Sequence, residues 1–268
     1  MNPTYITFNQ LCPKYDETKK INIEYEKEMI VFEEKHYDTH AKVASIPGSP
    51  LFFSPVQKWE QLNLIQTHVL IYRKKLVPFQ EFFKKFTFPE RSQYLVSSLK
   101  HLVQGVDLLS KNGINMINYQ HIGFQNNNIP LIYEFRRCED LSYLPLELHV
   151  LLFMQKHKIQ ALSENNFRTI CKSFFHLNNN QLTNDVWIPL VNDFTFLFNV
   201  PYEKVKAHIA TLNPKWYVYG LGCLYHDLVS DVDFETLPEE VVQLILSCKE
   251  VSPKSRPSLV DVYRALTF

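Results

Sequence analysis

Glycine is scarce in this chain. The six glycines are outnumbered by 15 prolines, and they stand at positions 48, 105, 113, 123, 220 and 222. Nowhere do they form the pattern G-x-G-x-x-G, in which missing side chains let the backbone approach the phosphates of a nucleotide closely. The sequence therefore excludes a glycine-rich phosphate-binding loop of that type.

The chain also lacks net charge and long apolar runs. Its 28 lysines and arginines balance 28 aspartates and glutamates, so bulk charge cannot attract a polyanion, and we expect no nucleic-acid partner. Because no run of about 18 apolar residues occurs, we expect no membrane span. The first nine residues lack the basic and apolar segments that define a signal peptide.

Cysteines are few and show no metal-binding or disulfide pattern. Their number is odd and no C-x-x-C motif occurs, so neither a disulfide framework nor a zinc site is indicated. We expect reduced, mostly buried thiols, an intracellular location and no metal or other cofactor. His36 and His40 lie four residues apart without a third ligand, and we expect both on the surface. The cysteines are Cys12, Cys138, Cys171, Cys223 and Cys248.

Short strand-like segments dominate the first 77 residues. Residues 21–36 are ambiguous, since their apolar spacing fits a helix while 28–33 alone fits a strand. Residues 51–53 and 67–73 predict strands, because aromatic and β-branched side chains are frequent there. Between them we expect a loop or turn at 57–63.

From residue 78 the pattern becomes helical. The strongest helix is predicted at 92–111, where apolar residues recur with a period of about 3.6, and Asn112-Gly113 ends it. A β-hairpin interrupts the helices, with strands at 122–124 and 129–135 around a polar turn. Further helices are predicted at 144–156, 164–176, 189–198, 201–212, 216–228, 237–249 and 258–266, the last capped by Ser258.

Five phenylalanines gather around the short amphipathic segment 78–85. Such a series is either a face that binds a partner protein or a part of the core, and core packing is the commoner role. We therefore expect these rings inside the fold. They are Phe79, Phe82, Phe83, Phe86 and Phe88.

Strand-rich segments followed by a run of helices predict an α+β fold with two layers or lobes. The helical part contains KNGI at 111–114, the hairpin at 122–135, LPLE at 144–147, WYVYGLG at 216–222 and SPKSRPS at 252–258. In this order the stretches resemble the protein kinase superfamily, and residues 145–166 are similar to kinase-like proteins of large DNA viruses. The resemblance implies a reduced, mixed β-rich N-lobe over residues 1–77 and a mainly helical C-lobe over 78–268.

The resemblance also assigns catalytic roles that the residues present do not fill. It places Asn118 where the family has the aspartate that accepts the substrate hydroxyl's proton, which an amide cannot do. Gly123 stands in place of the metal-binding asparagine, and Glu134 begins the triplet E-F-R at the metal-binding D-F-G turn. The phosphate-binding lysine has no candidate better than Lys42, which is weak. Asn118 and Glu134 are also compatible with solvated positions in the hairpin.

Architectural positions of the family, in contrast, are kept. Glu147 and Arg256 match the pair that forms a buried ion pair between the end of the activation segment and the last helices. Tyr217 departs from the pattern, since it stands where the family has an aspartate that holds the backbone of the catalytic loop. We expect the loop of this chain to lack that connection.

Kept architecture with lost catalytic groups implies a catalytically inactive pseudokinase. We expect it to act through protein–protein contacts as a scaffold, regulator or virion component, with an unidentified protein partner and without ATP binding. The expected location is intracellular, either in a host cytoplasm or in a virion. Two alternatives stay open: a divergent active serine/threonine protein kinase that uses Glu134 for metal, and a helical structural protein whose motif matches are accidental.

Overall fold

The computed structural model describes residues 29–33, 37–53, 56–62, 67–72, 76–86, 88–115, 117–124, 128–133, 135, 138, 140–230 and 237–267. These residues form a mixed α+β structure in which helices predominate and the sheets are small. The predicted α+β class is confirmed. None of the helices described is both long enough and apolar enough to cross a membrane.

A three-stranded antiparallel sheet is built from β1 (Met29–Glu33), β2 (Val56–Leu62) and β3 (Thr67–Tyr72), with β3 in the centre. Of the two alternatives for residues 21–36, the strand is therefore correct over Met29–Glu33. The predicted loop at 57–63 is wrong, because β2 pairs with β3 from Val56 to Leu62, with one irregularity in the register between Val56 and Lys58. The polar sequence of β2 gives no strand signal, because edge strands have weak sequence preferences and tolerate charged residues.

Helix α1 (Tyr37–Ala44) and a following turn connect β1 to β2. Gly48 adopts a left-handed conformation with φ of 81°, and a 3-10 helix follows at Ser49–Leu51. The predicted strand at 51–53 is wrong, because the backbone coils through Leu51 and only Phe53 makes an isolated bridge, to Ile132.

A second small sheet contains β4 (Val77–Pro78), β5 (Ile122–Phe124) and β6 (Pro130–Ile132), in that order and antiparallel. The predicted hairpin is thus confirmed, with a shorter second strand than expected. Helix α2 (Phe79–Phe83) covers this sheet. Its rings Phe79, Phe82 and Phe83 are buried, and Phe82 stacks on Phe124 with ring centroids 3.7 Å apart, so core packing is their role.

The longest helix, α3 (Phe88–Lys111), ends as the sequence predicts. Gly113 has φ of 67°, which glycine adopts without the steric cost of a side chain. The Ile114 amide donates to the Leu109 carbonyl at 3.0 Å, and the Gly113 amide donates to the Ser110 carbonyl at 3.1 Å. This pair of bonds is the Schellman arrangement, which satisfies the last carbonyls of the helix and fixes the direction in which the chain leaves it.

Helix α8 (Asn213–Ser230) occupies the centre of the C-terminal part. Residues 216–225 are all buried, as expected for a helix that is apolar on every side. Three helices pack against it: α3, α9 (Glu239–Cys248) and α10 (Leu259–Ala265). The C-terminal helices are α4 (Leu146–Lys156), α5 (Glu164–Leu177), α6 (Asn184–Phe194), α7 (Tyr202–Ala210), α8 (Asn213–Ser230), α9 (Glu239–Cys248) and α10 (Leu259–Ala265).

Two helix starts show what local sequence does and does not determine. The Ser258 hydroxyl and the Asp261 carboxylate form a reciprocal capping box at the start of α10, as the predicted cap requires. The start of α6 is predicted wrongly at Pro189, because proline favours the first turn of a helix. The helix begins five residues earlier at Asn184, and Pro189 lies inside it.

Candidate functional site

The segment between α3 and β5 contains the position at which the family resemblance expects the catalytic base. Asn118 caps a 3-10 turn at Tyr119–His121, and its side-chain oxygen accepts a hydrogen bond from the Gln120 amide at 3.2 Å. The side chain is 1% exposed, so the solvated interpretation of Asn118 is wrong. The turn needs a short polar side chain to satisfy its backbone, and Asn118 supplies it.

Tyr119 attaches this turn to α8. Its side chain lies against Gly220, where an added Cβ would come within 2.0–2.4 Å of three atoms of the tyrosine. The ring also stacks on Tyr143, with centroids 5.8 Å apart, and its hydroxyl donates to the Trp216 carbonyl at 3.4 Å. Burial raises the pKa of Tyr119, so the hydroxyl stays protonated and remains a donor.

Tyr217 attaches the start of the same segment to α8. Its hydroxyl donates a hydrogen bond to the carbonyl of Ile114, the residue that follows the left-handed Gly113. Burial raises the pKa of Tyr217 and keeps this donor protonated. The expectation that the loop lacks a connection at this position is therefore wrong, because a neutral phenol makes one where the family uses a carboxylate.

Gly123 is the central residue of β5 and pairs with Pro78 on one side and Leu131 on the other. An added Cβ would lie 2.9 Å from the Leu76 Cβ and 3.1 Å from the Val77 carbonyl oxygen. A side chain at this position would therefore require the segment at Leu76–Val77 to move, and the glycine itself offers no side-chain ligand.

The position of the D-F-G turn is described at one residue only. Phe135 is buried, and its ring meets His40 of α1 at 5.0 Å and Phe53 at 5.4 Å, both edge to face. Glu134 and His36 lie outside the described residues. The surface prediction for His40 is wrong, and its spacing of three from the buried Val43 on α1 is the sequence signal that could have revealed its burial.

Lys42 does not occupy a strand. It lies in the last turn of α1 and is exposed, so it does not match a phosphate-binding lysine, which the family carries on a strand. Strand β1, the strand immediately before this helix, reads MIVFE and contains no lysine.

The structure brings Glu147 and Arg256 together. Arg256 Nη2 lies 2.7 Å from Glu147 Oε2, and both side chains are completely buried. The guanidinium also donates to the carbonyls of Lys215 at 3.0 Å and Val251 at 3.1 Å, and it lies over the ring of Tyr219 at 5.4 Å. Glu147 stands in the first turn of α4, where the helix dipole favours a negative charge.

The thiols that the structure describes are buried and make no disulfide. Burial raises the pKa of Cys171, Cys223 and Cys248 to about 12, so these thiols stay protonated and cannot act as nucleophiles near neutral pH. Cys12 lies outside the described residues. In the part of the chain that the structure describes, no three His, Cys, Asp or Glu side chains gather as metal ligands would.

A small cavity lies beside the Asn118 turn. Ile117, Tyr119, Tyr143, Leu144 and Trp216 are among its walls, and at ≈ 10 Å³ it has room for about one water molecule. Ligand pockets in proteins are larger by at least an order of magnitude. This cavity is therefore a packing defect between the turn and α8 and is too small for a nucleotide or a peptide.

Comparison with known proteins adds no relative. No protein-family model matches the chain, and no curated protein is significantly similar to it in sequence. The roles of Asn118, Gly123 and Glu147 accordingly depend on the chemistry and packing of this chain alone, and kinase-like ancestry is a proposal.

Proposed function

We propose that this chain is a catalytically inactive, kinase-like protein that acts through protein–protein contacts as a scaffold, regulator or virion component. One contrast carries the proposal. The buried ion pair between Glu147 and Arg256, an architectural feature of the family, is present, while the groups at the positions for base and metal cannot do that chemistry.

The residue at the position of the catalytic base, Asn118, cannot act as a base. In protein kinases an aspartate of the catalytic loop accepts the proton of the substrate hydroxyl. The amide of Asn118 cannot ionise, and its oxygen is already bonded to the Gln120 amide. Loss of general base catalysis costs a factor of about 10²–10⁴ in rate.

The residues present do not fit a magnesium–nucleotide complex either. Kinases hold Mg²⁺ with an asparagine of the catalytic loop and the aspartate of the D-F-G turn, and they pair a strand lysine with a glutamate on the next helix. Gly123 offers no side-chain ligand, and a side chain there would require Leu76 and Val77 to shift. Strand β1 contains no lysine, and α1, with the sequence YDTHAKVA, contains no glutamate.

The arrangement of elements agrees with kinase-like ancestry. A small antiparallel sheet with a helix between its first two strands comes first, and the helices that follow surround the buried α8. The two residues of the buried ion pair are 109 positions apart in sequence. They join the start of α4 to the segment before α10, as the family pattern requires.

A thermal-shift titration with ATP and MgCl₂ tests the catalytic half of the proposal. We expect no metal-dependent rise in melting temperature, with an active protein kinase as positive control under the same conditions. In an assay of labelled phosphate transfer, the variant Asn118→Asp is the matched control. Restoring a carboxylate without metal ligands should not create phosphoryl transfer. A clear rise that requires Mg²⁺ would contradict the proposal, and transfer of labelled phosphate that is lost in Glu134→Ala would establish the divergent active kinase.

A pull-down from the native source, followed by mass spectrometry, tests the interaction half. The full chain serves as bait, and an unrelated protein of similar size serves as the control bait. We expect a defined protein partner in amounts comparable with the bait. Recovery of nothing above the control would contradict a role in protein–protein contact while leaving the conclusion about catalysis intact.

A further inference from the structure

The dipeptide Asn112-Gly113, which follows the last residue of α3, is the one Asn-Gly sequence in the chain. Asparagine is a thermally labile residue, because the backbone nitrogen that follows it can attack the carbon of its side-chain amide. A following glycine favours this attack, since it has no side chain to hinder the approach and lets the backbone bend freely. The sequence therefore marks a site where deamidation can occur without an enzyme, whatever the ancestry of the chain.

The reaction needs no cofactor and consumes one water molecule. The Gly113 nitrogen forms a bond to Cγ of Asn112, and the proton of that nitrogen leaves with the side-chain amide as ammonia. A five-membered succinimide ring results, and water opens it at either of its two carbonyl carbons. One product is aspartate with the original backbone. The other is isoaspartate, whose backbone runs through the former side chain and is one methylene longer.

The folded structure keeps both reacting groups engaged elsewhere. The Gly113 amide, which would be the nucleophile, donates to the Ser110 carbonyl at 3.1 Å. The Asn112 side-chain nitrogen donates to the Leu108 carbonyl at 2.8 Å, so the amide that would be attacked is directed back along α3. Asn112 is half-buried and Gly113 is exposed, so water can reach the site. Attack therefore requires the end of the helix to open, and the access of water does not limit it.

A buried hydroxyl on α8 holds this helix end closed. The Tyr217 hydroxyl donates to the carbonyl of Ile114, and the Ile114 amide donates to the Leu109 carbonyl at 3.0 Å. Ile114 is thereby fixed to α8 on one side and to α3 on the other. In this respect the end of α3 differs from a free helix end, which frays at little cost in free energy.

We propose that Asn112 is a modification site, whose deamidation is suppressed by the native end of α3 and proceeds when that end opens. The isoaspartate product has an extra methylene before Gly113, so the amides of Gly113 and Ile114 no longer match their acceptor carbonyls on α3. The segment that leads to the Asn118 turn then loses its attachment to the helix. The change is therefore one-way, because the product favours the open form from which it arises.

The rate of deamidation in the full chain tests the suppression. The reference is a capped synthetic peptide of residues 109–114 at the same temperature and neutral pH, since Asn112 is its one asparagine. Peptic mapping under acidic conditions, with mass spectrometry, separates asparagine, aspartate and isoaspartate. Because the reaction rate is multiplied by the fraction of open form, we expect the folded chain to react about fivefold more slowly, or more slowly still. A smaller difference would overturn the proposal.

A pair of tyrosine variants tests where the opening occurs. Tyr217→Phe removes the hydroxyl that holds Ile114, and we expect deamidation at Asn112 to become about threefold faster or more. Tyr225→Phe is the matched control, because this buried tyrosine is also on α8 but its hydroxyl contacts the Ser98 hydroxyl at 2.7 Å, far from the end of α3. An unchanged rate in Tyr217→Phe would overturn the proposal. Equal acceleration in both variants would do so too, since it would attribute the reaction to global unfolding.

Discussion

Two buried polar regions of this molecule differ in whether they contain charged side chains. The pair Glu147–Arg256 keeps two opposite charges in a fully buried site, with backbone carbonyls around the guanidinium. The turn at Asn118 keeps its shape and its attachment to α8 but contains no charged side chain in its described residues. The architecture and the chemistry of a buried polar site are therefore separable, because different side chains determine each. We expect the following substitutions to affect stability unequally.

The largest effect is expected from breaking the buried pair. Glu147→Ala leaves the Arg256 charge buried without its partner, and we expect a loss of about 3–5 kcal/mol in the free energy of unfolding, measured by urea denaturation. Glu147→Gln keeps the volume of the side chain and removes its charge. A loss in Glu147→Gln close to that in Glu147→Ala attributes the effect to the charge, whereas a nearly unchanged Glu147→Gln would show that packing dominates.

The next largest effect is expected where Tyr119 meets α8. Gly220→Ala places a methyl group 2.0 Å from the buried tyrosine ring, and we expect a loss of about 1–3 kcal/mol or more from overpacking. The double variant Gly220→Ala with Tyr119→Ala removes the clash. If the losses of the two single substitutions simply add in the double variant, the proposed close contact between ring and glycine is incorrect.

A smaller effect is expected from the hydroxyl that holds the start of the loop. Tyr217→Phe removes the donor to the Ile114 carbonyl and leaves that buried acceptor unsatisfied, which costs about 1–2 kcal/mol. Tyr202→Phe on α7 is the control, and it should change the stability by less than about 0.5 kcal/mol. Equal effects of the two substitutions would show that the Tyr217 hydroxyl contributes nothing specific.

The smallest effect is expected from the exposed counterpart of the buried pair. Lys254 Nζ lies 3.2 Å from Asp193 Oδ1 at the surface, and Lys254→Ala should cost about 0–1 kcal/mol, less at high salt. The Ser252 hydroxyl and the Lys254 ammonium hold the pKa of Asp193 below its usual range, so this contribution is present near neutral pH and disappears as the pH falls through the lowered value. A loss as large as that in Glu147→Ala would contradict the distinction between buried and exposed pairs.

Local sequence predicts much of the helical part, because the signals there are short-range. The apolar period of α3, the glycine after it and the Ser258 cap of α10 each act within a few residues. The edge strand β2 is missed, since its pairing with β3 is a tertiary contact that compensates for a polar sequence. Pro189 misleads for a related reason, because the packing of α6 tolerates a proline inside the helix.

The candidate site is predicted unevenly from the sequence. The meeting of Glu147 and Arg256 follows from the family resemblance and not from their spacing, since they are far apart in the chain. The burial of Asn118 and the bond from Tyr217 to Ile114 are missed because both depend on how the loop lies against α8. The contact between His101 and the Leu51 carbonyl has no local signal at all, because these residues are 50 positions apart.

The packing around Gly123 also bears on how this chain can change over generations. The Cβ of a substituted residue would meet both the Leu76 side chain and the Val77 carbonyl oxygen, so a new ligand would first require that neighbouring segment to move. A ligand at residue 123 and the movement of that segment are two separate changes. If the chain descends from an enzyme, recovering activity would therefore need several coordinated mutations, and selection would act more readily on its surface than on its former centre.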